Sequence, residues 1–383
     1  MRDVGSAGGF FVKRVSLLGL RPAGYLALAA LGLGMLAEAQ TTPAAPAQTR
    51  NNISASSYIA LGNLYYSKGQ YDSAYVAFRA ASENDPRSTE ALLGLGRSQT
   101  RLRLYAPAIE TLRRLVGMDA RNFSAHLALS QSYVAQYVGT TDRAAVAGNL
   151  DEALKVLGEA EVLQNDSAVL WNERSIIYKL KGDYARAIEM SRRASTIDPN
   201  DSVILYNLGD LYQASGNSAM ALESLQKAVI ADPTDAQARA YYGKLLLLSG
   251  NPNAARLELA QAERLAPNNA YAVGQYGVYG YLTKDNTLAR IKLTQALKLD
   301  PLRYPEFYYY LGRLEMDSGL VKEAKADFTK AAALASTNSE YFYWLGRAQE
   351  ASGDKGAARL AYGQALSLNP NMKVAQDGLS RVK

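Results

Sequence analysis

His126 is the only histidine in 383 residues, and the chain has no cysteine. A histidine can act as a general base or a metal ligand, but both roles need partners: a group to orient the ring, or further ligands to complete a metal's shell. The sequence contains no H-E-x-x-H, no calcium-loop pattern and no G-x-x-x-x-G-K-[ST] phosphate loop. Without cysteine, disulfides, thiolate zinc sites, iron–sulfur clusters and a thiol nucleophile are excluded. His126 is therefore read as a packed core residue, and no catalytic residue, cofactor or metal is expected. The residues left to do chemistry are tyrosines, 26 of them against 7 phenylalanines. A core is served as well by phenylalanine, whereas tyrosine adds a hydroxyl to a flat apolar ring, which suits an interface. By helical spacing, Tyr206, Tyr241, Tyr271, Tyr281, Tyr309 and Tyr343 share one exposed face with Asp210, Lys244, Arg313 and Arg347. Earlier in the chain the same face carries Asn63, Arg97, Gln131 and Asn172. The chemistry this set supports is recognition, through aromatic contact and charged hydrogen bonds.

These side chains must be placed by something periodic, and an alanine series shows the period. Ala74, Ala108, Ala153, Ala187, Ala221, Ala255, Ala289, Ala324 and Ala358 follow one another at steps of 34, 45, 34, 34, 34, 34, 35 and 34. Two other series keep those steps, one running from Gly62 to Gly346 with Ser130 and Ser175 inside it, the other from Ala81 to Ala365. Large residues stand at fixed offsets around them: Tyr58, Leu61 and Tyr65 before Phe78 in the first unit, Leu205, Leu208 and Tyr212 before Leu225 in the fifth. Spacings of three and four put each set on one face of a helix, so each period predicts two helices. Gly69, Gly182, Gly216, Gly250, Gly319 and Gly353 fall between the two, where a tight turn needs a permissive backbone. Asp85, Asp198, Asp232 and Asp300 each precede a proline, which predicts the end of the second helix.

The order W-x₂-L-G-x₂-Y…A-x₃-F…P at a period of 34 residues resembles the tetratricopeptide repeat (TPR), with Trp171, Leu208, Gly209, Tyr212, Ala221 and Pro233 filling its slots. The resemblance implies an all-α fold: a right-handed α-solenoid of about nine TPR helix-turn-helix repeats with a C-terminal capping helix. The repeats are placed at 55–88, 89–122, 123–167, 168–201, 202–235, 236–269, 270–303, 305–338 and 339–372, with the cap at 373–383. The step of 45 marks an insertion in the third repeat, placed at Tyr137–Asn149. Resemblance also implies that the first helices of successive repeats line a concave groove for an extended peptide or a partner helix. The partner-binding residues expected there are Arg97, Asn172, Tyr206, Asp210, Tyr241, Lys244, Tyr271, Tyr281, Tyr309, Arg313, Tyr343 and Arg347.

Ahead of the repeats, Lys13, Arg14 and Arg21 precede an apolar run up to Leu36, and Ala37-Glu38-Ala39 offers a small-residue cleavage site. Residues 1–39 therefore read as a secretory signal, and the small, polar, proline-containing 40–54 as a flexible linker. The chain's net charge is +6, of which four basic and two acidic residues in 1–39 account for +2, leaving +4 for the rest. So small a charge, with basic and acidic residues interspersed, argues against nucleic acid as a partner. The expectation from sequence is a non-enzymatic interaction scaffold, exported to the periplasm or cell envelope, which binds components of an envelope, pilus or secretion complex. The alternative partner is a glycan, stacked on tyrosine faces in polysaccharide export or peptidoglycan contact, and membrane attachment is expected only through an uncleaved signal.

Overall fold

The computed structural model describes residues 54–382; the expected signal and all but the last residue of the expected linker lie outside them. Among the described residues there are nineteen α-helices, one 3-10 turn and no strand, in antiparallel pairs that follow the sequence period. The residues divide into two compact units, up to Met190 and from Ser191 onward. In the first unit the pairs are α1 (Ala55–Ser67) with α2 (Tyr71–Asn84), α3 (Thr89–Arg101) with α4 (Tyr105–Met118), and α5 (Phe123–Gly139) with α6 (Asn149–Leu163). Then come α7 (Ala168–Leu180) and α8 (Tyr184–Ile197), whose last residues belong to the second unit. The second unit pairs α9 (Ser202–Ala214) with α10 (Ser218–Ala231), α11 (Ala236–Leu248) with α12 (Pro252–Leu265), and α13 (Ala270–Leu282) with α14 (Asn286–Leu299). It ends with α15 (Pro305–Asp317) and α16 (Val321–Leu334), α17 (Ser339–Ala351) and α18 (Lys355–Leu368), and α19 (Lys373–Arg381). Odd-numbered helices up to α17 are called A helices, their even-numbered partners B helices.

The small-residue series sits where the A and B helices cross. A Cβ built on Gly209 would lie 2.7 Å from Leu225 Cγ and 3.2 Å from the Ala221 carbonyl oxygen. The same collision recurs sixteen residues downstream of Gly62 with Phe78, Gly96 with Leu112, Gly312 with Phe328, and Gly346 with Tyr362. The alanines of the first series are fully buried. A large side chain from the B helix thus fills the notch left by a missing side chain on the A helix, the ridge-into-groove logic of close helix packing.

The ends of the helices are set by local hydrogen bonds. Ser54, Ser88, Asn122, Ser167, Asp201, Asp235, Asn269 and Asn338 cap A helices, each accepting from a backbone N–H in the first turn. B helices close on an extended residue whether or not proline follows: Asp232, before Pro233, has φ −132° and ψ 90°, and Asp119, before Ala120, has φ −139° and ψ 83°. Proline is therefore not what stops them. The carboxylate helps instead, since Asp119 and Asp232 each accept from the backbone N–H two residues on. Between A and B helices, the six glycines predicted for the turn have φ from 73° to 84°, and at the equivalent position two repeats use Arg103 (φ 63°) and Lys284 (φ 68°). The insertion lengthens α5 to 17 residues and adds an exposed segment with one 3-10 turn, Ala144–Val146, before α6. Asn149 ties its end back by donating to Gln136 Oε1 at 2.8 Å.

The last repeat is closed by α19. Arg381 donates twice to Glu350, at 2.8 and 3.0 Å, and Tyr362 Oη donates to the same carboxylate at 2.6 Å. Hydrogen bonding to Arg381 holds the Glu350 carboxyl down at about 2. Gly378 of α19 lets the Tyr362 ring approach, since a Cβ there would meet Tyr362 Cζ at 2.6 Å.

Two substitutions follow from this geometry. Gly209→Ala overpacks the crossing and lowers stability by about 1–3 kcal/mol in urea titration; an unchanged midpoint contradicts the close approach. Arg103→Gly relieves a left-handed non-glycine residue and raises stability by about 0.5–1 kcal/mol, the strain removed less the chain entropy glycine adds; a loss of stability refutes that reading.

Candidate functional site

The candidate surface is the face of the A helices that the B helices leave uncovered, and each unit presents its own stretch. In the first unit Arg97 of α3 is exposed and Asn172 of α7 is half-buried. Neighbouring A helices are joined there by polar pairs: Asn63 Nδ2 donates to Glu90 Oε1 at 3.1 Å, and Gln131 Nε2 to Glu173 Oε1 at 2.8 Å. Burial raises the Glu173 carboxyl, against the pull of the Gln131 hydrogen bond and the Arg101 charge. His126, two percent exposed, shares a 2.9 Å hydrogen bond between Nδ1 and the Asn122 carbonyl, and its Nε2 lies 3.5 Å from Glu159 Oε2. It is a packed residue, and Glu159 is a partner that its sequence neighbourhood did not reveal.

In the second unit the structure brings the predicted tyrosines together but buries them. Tyr206, Tyr241, Tyr271, Tyr281, Tyr309 and Tyr343 are all less than a tenth exposed. Their neighbours are the next repeat's A helix. Tyr241 Oη donates to Asp210 Oδ1 at 3.1 Å, the two rings of Tyr206 and Tyr241 stand 5.7 Å apart, and Gln237 Nε2 donates to Tyr206 Oη at 3.4 Å. Tyr271 packs on Tyr304 at 5.6 Å, and Tyr281 on Tyr310 at 5.5 Å. Tyr309 Oη donates to Glu340 Oε1 at 2.6 Å and packs on Tyr341 at 5.3 Å. Burial holds the phenols of Tyr206, Tyr241, Tyr271 and Tyr309 above the ordinary tyrosine range, so they remain neutral hydrogen-bonding groups. These rings are the seam between repeats, with each pair contributing ~0.5–1.5 kcal/mol beyond its area.

Of the charged members of the predicted set in this unit, Asp210 is buried beneath Tyr241, while Lys244, Arg313 and Arg347 are half-buried and keep part of their surface. Arg313 lies 3.8 Å above the Trp344 ring and donates from Nη1 to Tyr309 Oη at 2.7 Å. Arg347 flanks the same ring at 5.6 Å and donates to Tyr343 Oη at 3.2 Å. Burial raises the carboxyl of Glu306 on α15, and the charge of Lys244 on α11 draws it partly back. Sequence reasoning missed Glu306, Tyr310, Glu340 and Trp344. A signal was present: residues 31 apart, as in Asp210 with Tyr241 and Tyr309 with Glu340, bridge successive A helices.

A second buried acid stands in the core. Glu315 occupies the slot that Tyr65 and Tyr212 hold in other repeats; it is seven percent exposed, its Oε2 has no hydrogen-bond partner, and Arg290 Nη1 is 3.9 Å from Oε1. Burial first, then Asp327 opposite, pushes the Glu315 carboxyl up to about 7.

The tetratricopeptide repeat family model matches residues 59–125, 206–270 and 309–372, just over half of the chain, and a second such model matches 168–201. The chain belongs to the tetratricopeptide repeat family. It is similar to a BBSome complex member of Bos taurus, 29% identical over 142 residues, covering 37% of this chain and 25% of that protein, so it spans about a quarter of the relative's length. The TPR fold is shared with a chain of the APC/C hetero-tetramer Cut9–Hcn1, at 14% identity and TM-score 0.57 over 86% of this chain and 76% of that one. A TPR protein of Thermus thermophilus is 32% identical over 51% of this chain and all of its own, with TM-score 0.47. The TPR assignment makes the chain a protein-interaction scaffold, the general role of these repeats.

The acid in the tyrosine slot has a measurable consequence. A carboxyl raised on folding stabilises the fold below its unfolded value, near 4.5, and that contribution is lost as pH rises through about 7. Glu315→Gln is therefore more stable than the parent protein at pH 8, with an advantage that shrinks toward pH 5 in thermal melts. An advantage independent of pH contradicts the buried-acid account.

Proposed function

We propose that the protein is exported to the cell envelope and there holds a protein partner, as an extended segment or a helix, against the A-helix face of its second unit. The single observation that carries the binding surface is the row of half-buried charges laid over the tyrosine seam: Lys244 and Glu306, then Arg313 and Arg347 about Trp344. A rigid aromatic floor with charged groups standing on it recognises a peptide by hydrogen bonds without first having to order its own side chains. Support for export is the basic, apolar and small-residue order of the first 39 residues. Membership of the TPR family supports a binding role over a catalytic one.

A glycan held by ring stacking needs open tyrosine faces. Here the rings are buried in tilted pairs 5.3–5.7 Å apart across the seam, and so the protein partner is the better-supported reading. The test is capture from an envelope extract. The parent protein retains a discrete protein partner, and Lys244→Glu with Arg347→Glu reduces that capture about tenfold, the scale of losing one or two charged contacts of a hot spot. Equal capture by the variant, or capture of cell-wall polysaccharide in place of protein, overturns the proposal.

A further inference from the structure

The B helices carry a second pattern that neither the repeat nor the A-helix face uses. At the two residues following the buried alanine of each B helix, repeats two to five place an apolar then a charged residue: Ile109 with Glu110 in the first of them, Leu222 with Glu223 in the last. Repeats six to nine invert the order. They place a basic then an apolar residue: Arg256 with Leu257, Arg290 with Ile291, Lys325 with Ala326, and Arg359 with Leu360. In the earlier arrangement the apolar member is at least partly covered: Ile109 is eight percent exposed, and Leu154, Ile188 and Leu222 are half-buried. In the later one it turns outward: Leu257 is 66%, Ile291 56% and Leu360 77% exposed. An apolar side chain left in water in one repeat needs no explanation; the same inversion in four successive repeats is a built feature of repeats six to nine.

Charge follows the same division. The B helices α12, α14, α16 and α18 carry ten basic and four acidic residues, a net +6, whereas the A helices α11, α13, α15 and α17 carry four basic and five acidic ones, a net −1. The face thus carries three protruding apolar side chains, Leu257, Ile291 and Leu360, each next to a basic residue, exposed at Arg256 and Arg359 and half-buried at Arg290. Protrusions at this exposure do not form the walls of a recess that would receive a partner's side chains. They match a layer of anionic lipid headgroups, in which apolar tips enter the acyl boundary while lysine and arginine pair with phosphates. Among the described residues no helix is long and apolar enough to cross a membrane, so the contact is a surface one. We propose that the outer face of α12, α14, α16 and α18 docks on an anionic membrane surface through Leu257, Ile291 and Leu360 and their flanking basic residues.

The experiment is co-sedimentation of the full chain with vesicles of phosphatidylcholine alone and of phosphatidylcholine with phosphatidylglycerol. Binding is expected to the anionic vesicles, weakened by added salt. Two variants should each reduce it about tenfold or more: L257S with I291S and L360S, and R256E with K325E and R359E. Arg290 is left in place because it also lies beside Glu315. The substituted side chains are exposed or, for Lys325, half-buried, so melting temperatures should stay unchanged, and either variant suffices if the other fails to fold. No binding to anionic vesicles, equal binding to neutral ones, or binding indifferent to both variants overturns the proposal. Binding of soluble polyglutamate with no binding of vesicles also overturns it, and assigns the face to an acidic protein. Partner capture by the A-helix face is independent of these variants, so the two proposals fail separately.

Discussion

In seven of the nine repeats the fold rests on the contact between a bare backbone on an A helix and a large side chain on its B helix, of which Gly209 against Leu225 is representative; serine takes the glycine's place in the other two. The crossing distance is set by the absence of one methyl group, and it is repeated down the chain. Because the hairpins share that crossing, a given offset lands on the same face in every repeat of a unit, and side chains 31 residues apart meet across neighbouring A helices. The tyrosine seam, the charges that stand on it and the outward row on the B helices are all consequences of that shared register. Stability in such an array is close to a sum over neighbours, so a fault at one crossing is felt locally first.

The seam changes what the A-helix face is for. Tyrosine rings fix the spacing of adjacent A helices, and their hydroxyls spend their hydrogen bonds on Asp210, Glu340 and the guanidinium groups of Arg313 and Arg347. In the proposed function, recognition therefore passes to the half-buried Lys244, Arg313 and Arg347, the arginines being hydrogen-bonded to ring hydroxyls. The arginines do both jobs, lying against Trp344 and donating to tyrosine hydroxyls while staying only half-buried. Glu315 shows the opposite case: a charge in a core slot, stabilising only when it carries a proton.

The fold was legible because its signal repeats: nine alanines at a near-constant step cannot serve anything but one recurring crossing. The turn glycines were legible for the same reason, yet Arg103 and Lys284 took the same left-handed backbone with ordinary side chains. The site was legible only in part. Periodicity tells which face a residue is on, but not what stands across from it. It found Tyr206, Tyr241 and Tyr309, and it could not tell that the adjacent A helix would cover them. Nor could spacing alone show that the charge of Lys244 acts on Glu306, two repeats away. The inverted pairs on the B helices were in plain sight in the sequence, but only their exposure gives them meaning.

The central claim is that a partner is held on the charges above the tyrosine seam. Amine-reactive cross-linking of the captured complex, read by mass spectrometry, tests it directly, because lysines mark both faces: Lys244 on α11, and Lys325 and Lys355 on α16 and α18. The account predicts partner cross-links at Lys244 and none at the B-helix lysines. Cross-links confined to Lys325 and Lys355, with Lys244 unmodified by the partner, would contradict it.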